Sequence, residues 1–373
     1  MEMIKHLQIK NYKSIKQLDL DCSRINVFVG RPNVGKSNIL EALALDQLSS
    51  FLFQNASIEK NKITSAAKID LKNIFRVETA RNLFHFHETD KPIELTMDLS
   101  LGSFGDYPRL KIEHVQGEDI FLWKREGVNS VTAFTQAFEP VIGKVVVDTM
   151  TKRTINSDIG YASKINHYNF NNRVYQEKLF HNEGGYMHLL PPYGNNILSI
   201  IERIPSLREK IADIFHDTGF DFVIDQAENK LRIQCKRNGV IFSVPFISIA
   251  DTLQRLIFYL CAIESNQHGN GRILLEEPEV HSFPSFVSYL ADEIIESNNQ
   301  FFIVTHSPYL LNELIENAPA GDTSVFVCDY AVHSFQTTAK KLTNEDISEL
   351  LDYGVDIFFN INRYLDDRIE HNT

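Results

Sequence analysis

The stretch that decides the fold is Gly30-Arg31-Pro32-Asn33-Val34-Gly35-Lys36-Ser37, which fills every fixed position of G-x-x-x-x-G-K-[ST]. The apolar run at 25–29 predicts a buried strand. Residues 38–45 predict a helix, because their apolar positions recur at helical spacing. A loop in that setting points successive backbone N–H groups at phosphate oxygens, and the helix N-terminus adds a partial positive charge. The pattern therefore predicts a phosphate-binding loop between a strand and a helix.

The positions of this loop predict distinct contacts. Lys36 is expected to reach the β- and γ-phosphates, and the Ser37 hydroxyl is expected to bind Mg²⁺. A glycine turn that binds nothing is the alternative, and the complete motif between a strand and a helix argues against it. The nucleotide-binding residues that the motif predicts are Gly30, Asn33, Val34, Gly35, Lys36, Ser37 and Asn38.

A GTPase is the first competing interpretation, because some translation-factor GTPases carry the same G-R-P-N-V-G-K-S string. Those proteins also need a D-x-x-G loop and an N-K-x-D box that reads guanine. No Asp of this sequence has Gly three residues later, and the pairs Asn61-Lys62 and Asn229-Lys230 lack the required Asp. The GTPase interpretation therefore becomes a distant alternative.

Composition narrows the class of protein further. The chain has 373 residues, is 43% hydrophobic and carries a formal net charge of −12, which argues against a protein coated in basic surface but leaves room for a local basic groove. Its four cysteines, which are far apart, predict reduced and mostly buried thiols: Cys22, Cys235, Cys261 and Cys328. With no apolar signal core and no membrane-length apolar stretch, we expect a cytoplasmic protein.

The N-terminal segment carries a family resemblance. The order Ile4-x-x-Leu-x-Ile-x-Asn11-Tyr-Lys13-Ser14-Ile15, then a second strand and the phosphate loop, resembles the opening of the OLD, RecF and SMC group of ABC-type ATPases. The resemblance implies an α/β P-loop NTPase with a mixed β-sheet flanked by helices and an inserted irregular or helical lobe. It also places Lys13 and Ser14 near the nucleotide, while a solvated hairpin tip is the equal alternative.

Residues 51–220 are less informative. Alternation within 91–125 predicts strands, 156–196 predicts an irregular region, and 197–215 predicts one amphipathic helix. The resemblance implies a metal-contacting glutamine here, and four candidates stay open: Gln47, Gln54, Gln116 and Gln136. The histidines at 85, 87, 181 and 188 lack metal-site spacing, so we expect them to be surface or packing residues.

The informative signal returns after residue 220. Three strands are predicted at 220–224, 231–235 and 240–244, with Asn238-Gly239 as a hairpin turn. A helix follows near 248–263. By resemblance its start is the signature motif, which presents a helix N-terminus to a γ-phosphate held by another subunit. The sequence departs from the usual serine and glycine, so Ser248 and Thr252 both remain candidates.

Two further segments complete the resemblance. Residues 272–275 predict a buried strand that ends in Glu276-Glu277, which fits a Walker B motif: Glu276 would hold Mg²⁺ and Glu277 would act as the general base. A second strand at 300–305 ends in His306, which resembles the switch histidine that contacts the γ-phosphate. An acidic strand end or a histidine after a strand is usually structural when it occurs alone, but here the two motifs occur together.

These motifs jointly resemble ATPase subunits of bacterial anti-phage systems such as PARIS and Septu. We expect one ABC-type ATPase domain over 1–373, divided into 1–50 with the phosphate loop, 51–220 of unclear role, 221–330 with the signature, Walker B and histidine motifs, and a helical 331–373. The resemblance implies ATP and Mg²⁺ as cofactors and a head-to-tail homodimer or higher homo-oligomer. It also implies a separate nuclease or toxin effector, because too few residues follow His306 for a TOPRIM nuclease module. Direct action on DNA, as in repair or chromosome ATPases, and a scaffold with negligible turnover are the alternatives.

Overall fold

A computed structural model gives the fold and describes residues 3–48, 57–59, 62–65, 71–99, 109–126, 131–141, 145–147, 154–156, 164–170, 187–216, 218–228, 230–267, 271–352, 354 and 356–365. The chain forms two compact units. Unit 1 combines Met1–Ile165 with Gly321–Thr373, and unit 2 is Asn166–Ala320. The four-part division expected from the sequence stays a prediction.

The strands, in chain order, are β1 (Ile4–Tyr12), β2 (Ile15–Asp21), β3 (Ile25–Gly30), β4 (Ser57–Glu59), β5 (Lys62–Ser65), β6 (Ile93–Leu99), β7 (Arg109–His114), β8 (Phe121–Arg125), β9 (Thr132–Phe134), β10 (Pro140–Val141), β11 (Val145–Val147), β12 (Thr154–Asn156), β13 (Ile165–Tyr168), β14 (Asp221–Asp225), β15 (Lys230–Arg237), β16 (Val240–Pro245), β17 (Arg272–Glu276), β18 (Gln300–Val304), β19 (Thr323–Ala331) and β20 (Gln336–Lys341).

The α-helices are α1 (Lys36–Ala44), α2 (Leu71–Ile74), α3 (Ile197–Arg203), α4 (Pro205–His216), α5 (Asp251–Asn266), α6 (Pro284–Glu296), α7 (Pro308–Asn317), α8 (Asn344–Asp352) and α9 (Ile361–Leu365). Short 3₁₀ turns lie at Leu45–Gln47, Ala80–Leu83, His85–His87 and Phe246–Ser248. No helix among these described segments is both long and apolar enough to cross a membrane.

Unit 1 contains an antiparallel sheet in the order β10-β9-β8-β7-β6-β1-β2. Buried and more exposed residues alternate along its strands because one face of the sheet is buried. In β1, Ile4, Leu7 and Ile9 are fully buried, and the residues between them are more exposed. The indole of Trp123 on β8 is buried and donates a hydrogen bond to the Leu45 carbonyl after α1 at 2.9 Å. This contact fixes the sheet against the helix that follows the phosphate loop.

The phosphate loop follows β3, which belongs to a second group of strands in unit 1. β3 pairs in parallel with β19, and β19 pairs antiparallel with β20. Every residue of β3 is buried, as expected for a parallel strand covered on both faces. β20, which sequence patterning did not predict, therefore belongs to the same group as the loop strand although more than 300 residues separate them.

Unit 2 contains β13, β17 and β18 side by side in that order, with β17 and β18 parallel. A separate antiparallel sheet has the order β14-β15-β16, and its hairpin turn is at Asn238-Gly239, as predicted. The single helix predicted over 197–215 is wrong. Pro205 has no backbone N–H and disfavours helix at Ile204, so α3 ends at Arg203 and α4 begins at Pro205.

Candidate functional site

The phosphate loop of unit 1 connects β3 to α1, as the sequence predicts. At two of its glycines, neighbouring atoms lie too close for a side chain to fit. A Cβ on Gly30 would lie 2.5 Å from the Cys328 carbonyl oxygen, and a Cβ on Gly35 would lie 2.0 Å from Thr337 Oγ1. Gly35 also has φ 95°, in the region that side chains disfavour. The loop geometry therefore depends on glycine at both fixed positions.

The functional side chains of the loop gather around its backbone. Lys36 is buried, and its Nζ donates to the carbonyls of Gly30 and Arg31, each at 2.8 Å. Ser37 is half-buried in the first turn of α1, and Asn33 is exposed with φ 64°. No side chain caps the N-terminus of α1 and its first turn has no acid, so the start of this helix suits an anion.

A hydroxyl network lies behind the loop. Thr337 Oγ1 donates to the Val34 carbonyl at 2.9 Å and is 2.6 Å from Ser14 Oγ. Asn38 Nδ2 in turn donates to Ser14 Oγ at 2.6 Å. Thr337 is fully buried on β20. Ser14, predicted near the nucleotide, thus links Asn38 of α1 to Thr337 of β20, and no sequence signal pointed to Thr337.

Lys13 belongs to a cluster of charges around the buried carboxylate of Glu41. Its ammonium bonds the Glu41 carboxylate of α1 and the Phe75 carbonyl, while Arg76 Nε donates to the same carboxylate at 2.6 Å. Burial raises the pKa of Glu41, against the opposing effect of Lys13 and Arg76. Because the Lys13 side chain is only 12% exposed, it is not part of a solvated hairpin tip. Its contact with nucleotide stays a prediction.

The predicted acidic residues of unit 2 lie at the end of β17. Glu276 is the last strand residue and is half-buried. Glu277 follows with φ 45°, and its backbone N–H donates to Val304 O at 2.8 Å, so the strained residue is tied to β18. The Glu277 carboxylate lies 3.6 Å from His306 Nε2. The predicted base and the predicted switch histidine are therefore adjacent.

A third acid, Glu279, organises this turn. It is buried, and its Oε1 accepts from Thr305 Oγ1 at 2.5 Å and from the His306 backbone N–H at 3.2 Å. Burial raises the pKa of Glu279, while Thr305 and the backbone donors lower it. No role for Glu279 was predicted from the sequence; the structure shows that its carboxylate accepts a hydrogen bond from the backbone N–H of His306 and so holds it in place.

The predicted signature segment is the start of α5. Ala250 is the N-cap residue and makes no side-chain cap. Ser248 is exposed at the end of a 3₁₀ turn, and Thr252 Oγ1 donates to the His281 carbonyl at 2.6 Å. Which of the two contacts a phosphate stays a prediction.

The remaining candidates are spread out. Gln47 is buried after α1, Gln116 is exposed and Gln136 is half-buried, while Gln54 and His181 lie outside the described residues. His85 Nδ1 bonds the Lys13 carbonyl at 2.6 Å, and His87 Nε2 bonds Asn82 at 3.1 Å. Within the described part of the chain, no group of three or more His, Cys, Asp or Glu side chains could hold a metal ion.

Comparisons with known proteins agree with these motifs. Residues 3–188 match the family model of the AAA ATPase domain. The fold is similar to an Smc head bound to the C-terminal winged-helix domain of ScpA, with 16% identity, a TM-score of 0.52, and 93% of this chain and 99% of that chain covered. It is also similar to the Pyrococcus furiosus Smc head with an extended coiled coil bound to the ScpA C-terminal domain: 13% identity, TM-score 0.51, coverage 95% and 99%. No curated protein sequence gave a significant match.

The fold and the motifs together define a P-loop ATPase. More particularly, this is an ATP-hydrolysing protein whose residues 3–188 match the AAA ATPase domain model and whose fold is similar to that of SMC heads, so the predicted fold class and the predicted enzyme class are confirmed.

Proposed function

We propose that this ATPase is a slow, regulated switch, which pairs with a second copy of itself on ATP and thereby gates a separate effector protein. The observation that carries the proposal is the adjacency of Glu277 and His306 at 3.6 Å. A base beside a residue able to register the γ-phosphate suits an enzyme whose hydrolysis step is coupled to a change of state.

Different residues of the chain bind the nucleotide and carry out the hydrolysis. Lys36 and the loop N–H groups bind the triphosphate, and Glu277 accepts the proton of the water that attacks the γ-phosphorus. The bond from that phosphorus to the β–γ bridging oxygen breaks, and ADP and phosphate leave. The Ser37 hydroxyl and the Glu276 carboxylate are hard oxygen donors that fit Mg²⁺, which when bound neutralises charge on the phosphates.

Pairing would make turnover conditional. By the family resemblance, the start of α5, with Ser248 and Thr252 nearby, contacts the γ-phosphate held by another copy; Asp251 lies in its first turn, and its carboxylate is 3.9 Å from the Arg255 guanidinium. Hydrolysis would then require two copies, and loss of the γ-phosphate would separate them. This two-copy requirement is why we expect slow turnover.

The effector is proposed by analogy. Both similar Smc head structures contain a bound ScpA domain, which shows that heads of this fold can hold a separate protein. For this chain we propose a nuclease or toxin effector in an anti-phage system. The support for this setting is the sequence resemblance to PARIS and Septu ATPases.

Two substitutions test the switch. Lys36→Ala should abolish ATP binding, whereas Glu277→Gln should bind ATP, lose turnover by at least about 100-fold, as expected for loss of a general base, and remain paired. Glu316→Gln, an exposed acid on α7, is the matched control. Binding is measured by calorimetry with GTP as the comparison nucleotide, turnover by phosphate release, and pairing by light scattering. Unchanged turnover in Glu277→Gln would remove Glu277 from the mechanism.

Direct action on DNA is the second candidate. A groove of about 490 Å³ on the seven-stranded sheet is lined by more basic than acidic side chains, including Lys10, Arg109, Lys111, Lys124 and Arg125. Some of this charge is neutralised: Lys124 Nζ lies 2.7 Å from Glu113 and Lys111 Nζ lies 3.1 Å from it. DNA-stimulated turnover that falls steeply with salt, and that Arg109→Ser weakens, would favour this candidate over the effector switch.

A further inference from the structure

The sheet of β14, β15 and β16 in unit 2 has an apolar face that, among the residues the structure describes, is covered on one side only. Phe222, Ile233 and Val244 are in register across the three strands, so their side chains share that face. At the covered side, Phe222 stacks on Phe215 at 6.1 Å and contacts Phe246 at 6.4 Å. Ile233 is 2% exposed.

The same face continues onto β16 and becomes exposed there. Phe242 pairs with Cys235, two positions along from Ile233, and is 53% exposed; Val240 is 54% and Val244 39% exposed. Large apolar residues in contiguous exposed positions mark an interaction site more often than single ones do. The uncovered part of the apolar face is therefore the edge strand itself.

The backbone of β16 is also available for pairing. Asn238 and Gly239 have φ of 51° and 79°, which identifies a two-residue hairpin turn whose flanking pair, Arg237 and Val240, exchanges hydrogen bonds. Hydrogen-bonded pairs alternate along an antiparallel ladder, so Ile241 and Ser243 direct their N–H and C=O groups away from β15. β16 is the last strand in the order of this sheet as described.

β16 lacks the usual protection of an edge. Natural edge strands carry charges, bulges or internal prolines that prevent association. Residues 240–244 read Val-Ile-Phe-Ser-Val, with no charge, and Pro245 comes only at the end of the strand. An uncharged strand can pair with an identical strand without placing like charges opposite one another.

We infer that β16 pairs antiparallel with β16 of a second copy of this chain, about a two-fold axis at Phe242, to form a six-stranded sheet. Ile241 of each copy then lies opposite Ser243 of the other, and these two pairs exchange four backbone hydrogen bonds. Phe242 lies opposite its own counterpart in a non-hydrogen-bonded pair, the closer kind. Val240 lies opposite Val244, so the apolar face becomes continuous across both copies.

The small surface area that this pairing buries predicts a reversible contact. The exposed fractions of the four apolar residues of β16 correspond to roughly 350 Å² per copy, so with the paired backbone the two copies bury at most roughly 1,000 Å², at the low end of specific interfaces. This contact needs no nucleotide. It is therefore separate from the ATP-dependent pairing proposed above and would join ATP-linked pairs into larger assemblies.

Sedimentation equilibrium tests the inference. The full chain is measured in EDTA without nucleotide at about 1 to 100 μM, a range that suits the weak affinity expected of a small interface. We expect a reversible dimer that Ser243→Pro weakens at least tenfold. The Ser243 N–H lies outside the β15–β16 ladder, so the monomer should keep its fold and its melting temperature. Phe242→Lys should act similarly, and Phe359→Lys, at an exposed residue of unit 1, should not.

Oxidative cross-linking tests the register. Cys235 faces Phe242 within one chain, so the experiment uses a Cys235→Ser background, in which the other three cysteines are buried. Phe242→Cys should give a disulfide-linked dimer, because Cα atoms of a non-hydrogen-bonded pair lie about 4.5 Å apart. Ile241→Cys should cross-link at least about tenfold less. A monomer throughout the concentration range, a dimer unaffected by Ser243→Pro, or equal cross-linking at both positions would overturn the inference.

Discussion

Replacing Thr337 with valine removes the hydroxyl behind the phosphate loop while keeping the shape of the side chain. Two hydrogen bonds are lost, one to the Val34 carbonyl at 2.9 Å and one with Ser14 Oγ at 2.6 Å. Ser14 keeps its bond from Asn38, so the principal cost is a buried, unsatisfied carbonyl. Such a group costs about 1–3 kcal/mol.

This cost is large enough to measure. For a unit of 150–250 residues, 1 kcal/mol lowers the melting temperature by about 2–4 °C, so we expect Thr337→Val to lose roughly 2–12 °C. Because the Val34 carbonyl belongs to the loop, ATP affinity should fall together with stability. Differential scanning fluorimetry and calorimetric ATP titration measure the two effects.

The neighbouring threonine supplies the control. Thr338 is half-buried on the same strand, and its hydroxyl makes one longer bond, to Asp329 O at 3.3 Å. Thr338→Val should therefore cost less than about 1 kcal/mol and leave ATP affinity unchanged. Equal melting temperatures for the two variants, or wild-type ATP affinity in Thr337→Val, would refute the view that Thr337 supports the loop.

Three further predictions use other parts of the two units. Gly35→Ala should abolish ATP binding in calorimetry, because a left-handed φ costs about 1–2 kcal/mol for a residue with Cβ and this Cβ meets Thr337 Oγ1 at 2.0 Å; retained binding would contradict the geometry. Since burial raises the pKa of Glu279, its contribution to stability is full below about pH 4.5 and is lost as pH rises through the folded-state pKa. Glu279→Gln should thus melt progressively higher relative to the wild type between pH 5 and 8, and a constant difference would count against a raised pKa. Thr252→Val removes the bond to His281 O and should cost about 1 kcal/mol, seen as a small drop in melting temperature, whereas an unchanged melting temperature would show that this bond is not needed.

Local sequence patterns predicted the parts of the site that depend on local contacts. The phosphate loop needs a strand, two glycines and a helix start within a few residues, and the turn at Asn238-Gly239 needs positive φ at two adjacent residues. Both could therefore be predicted from short stretches of sequence.

Features that depend on distant partners could not be predicted in this way. Thr337 has no motif of its own, and only the pairing of β19 with β3 and β20 brings it to Gly35. Glu279 was visible as an acid, but its bonds to Thr305 and His306 depend on the neighbouring strand. β20 escaped notice because only Thr337 among its residues is buried, so the strand lacks an apolar alternation.

The support of the phosphate loop by β20 has a consequence for synthesis on the ribosome. The loop is translated about 300 residues before β20, the strand that carries the hydroxyl behind it. At about 5–20 residues per second, roughly 15–60 s pass between the translation of Lys36 and that of Thr337. A nascent chain therefore has the complete nucleotide-binding motif well before it has the contacts that hold the motif in place, and ATP capture should begin only after Thr337 has been translated and β20 has paired with β19.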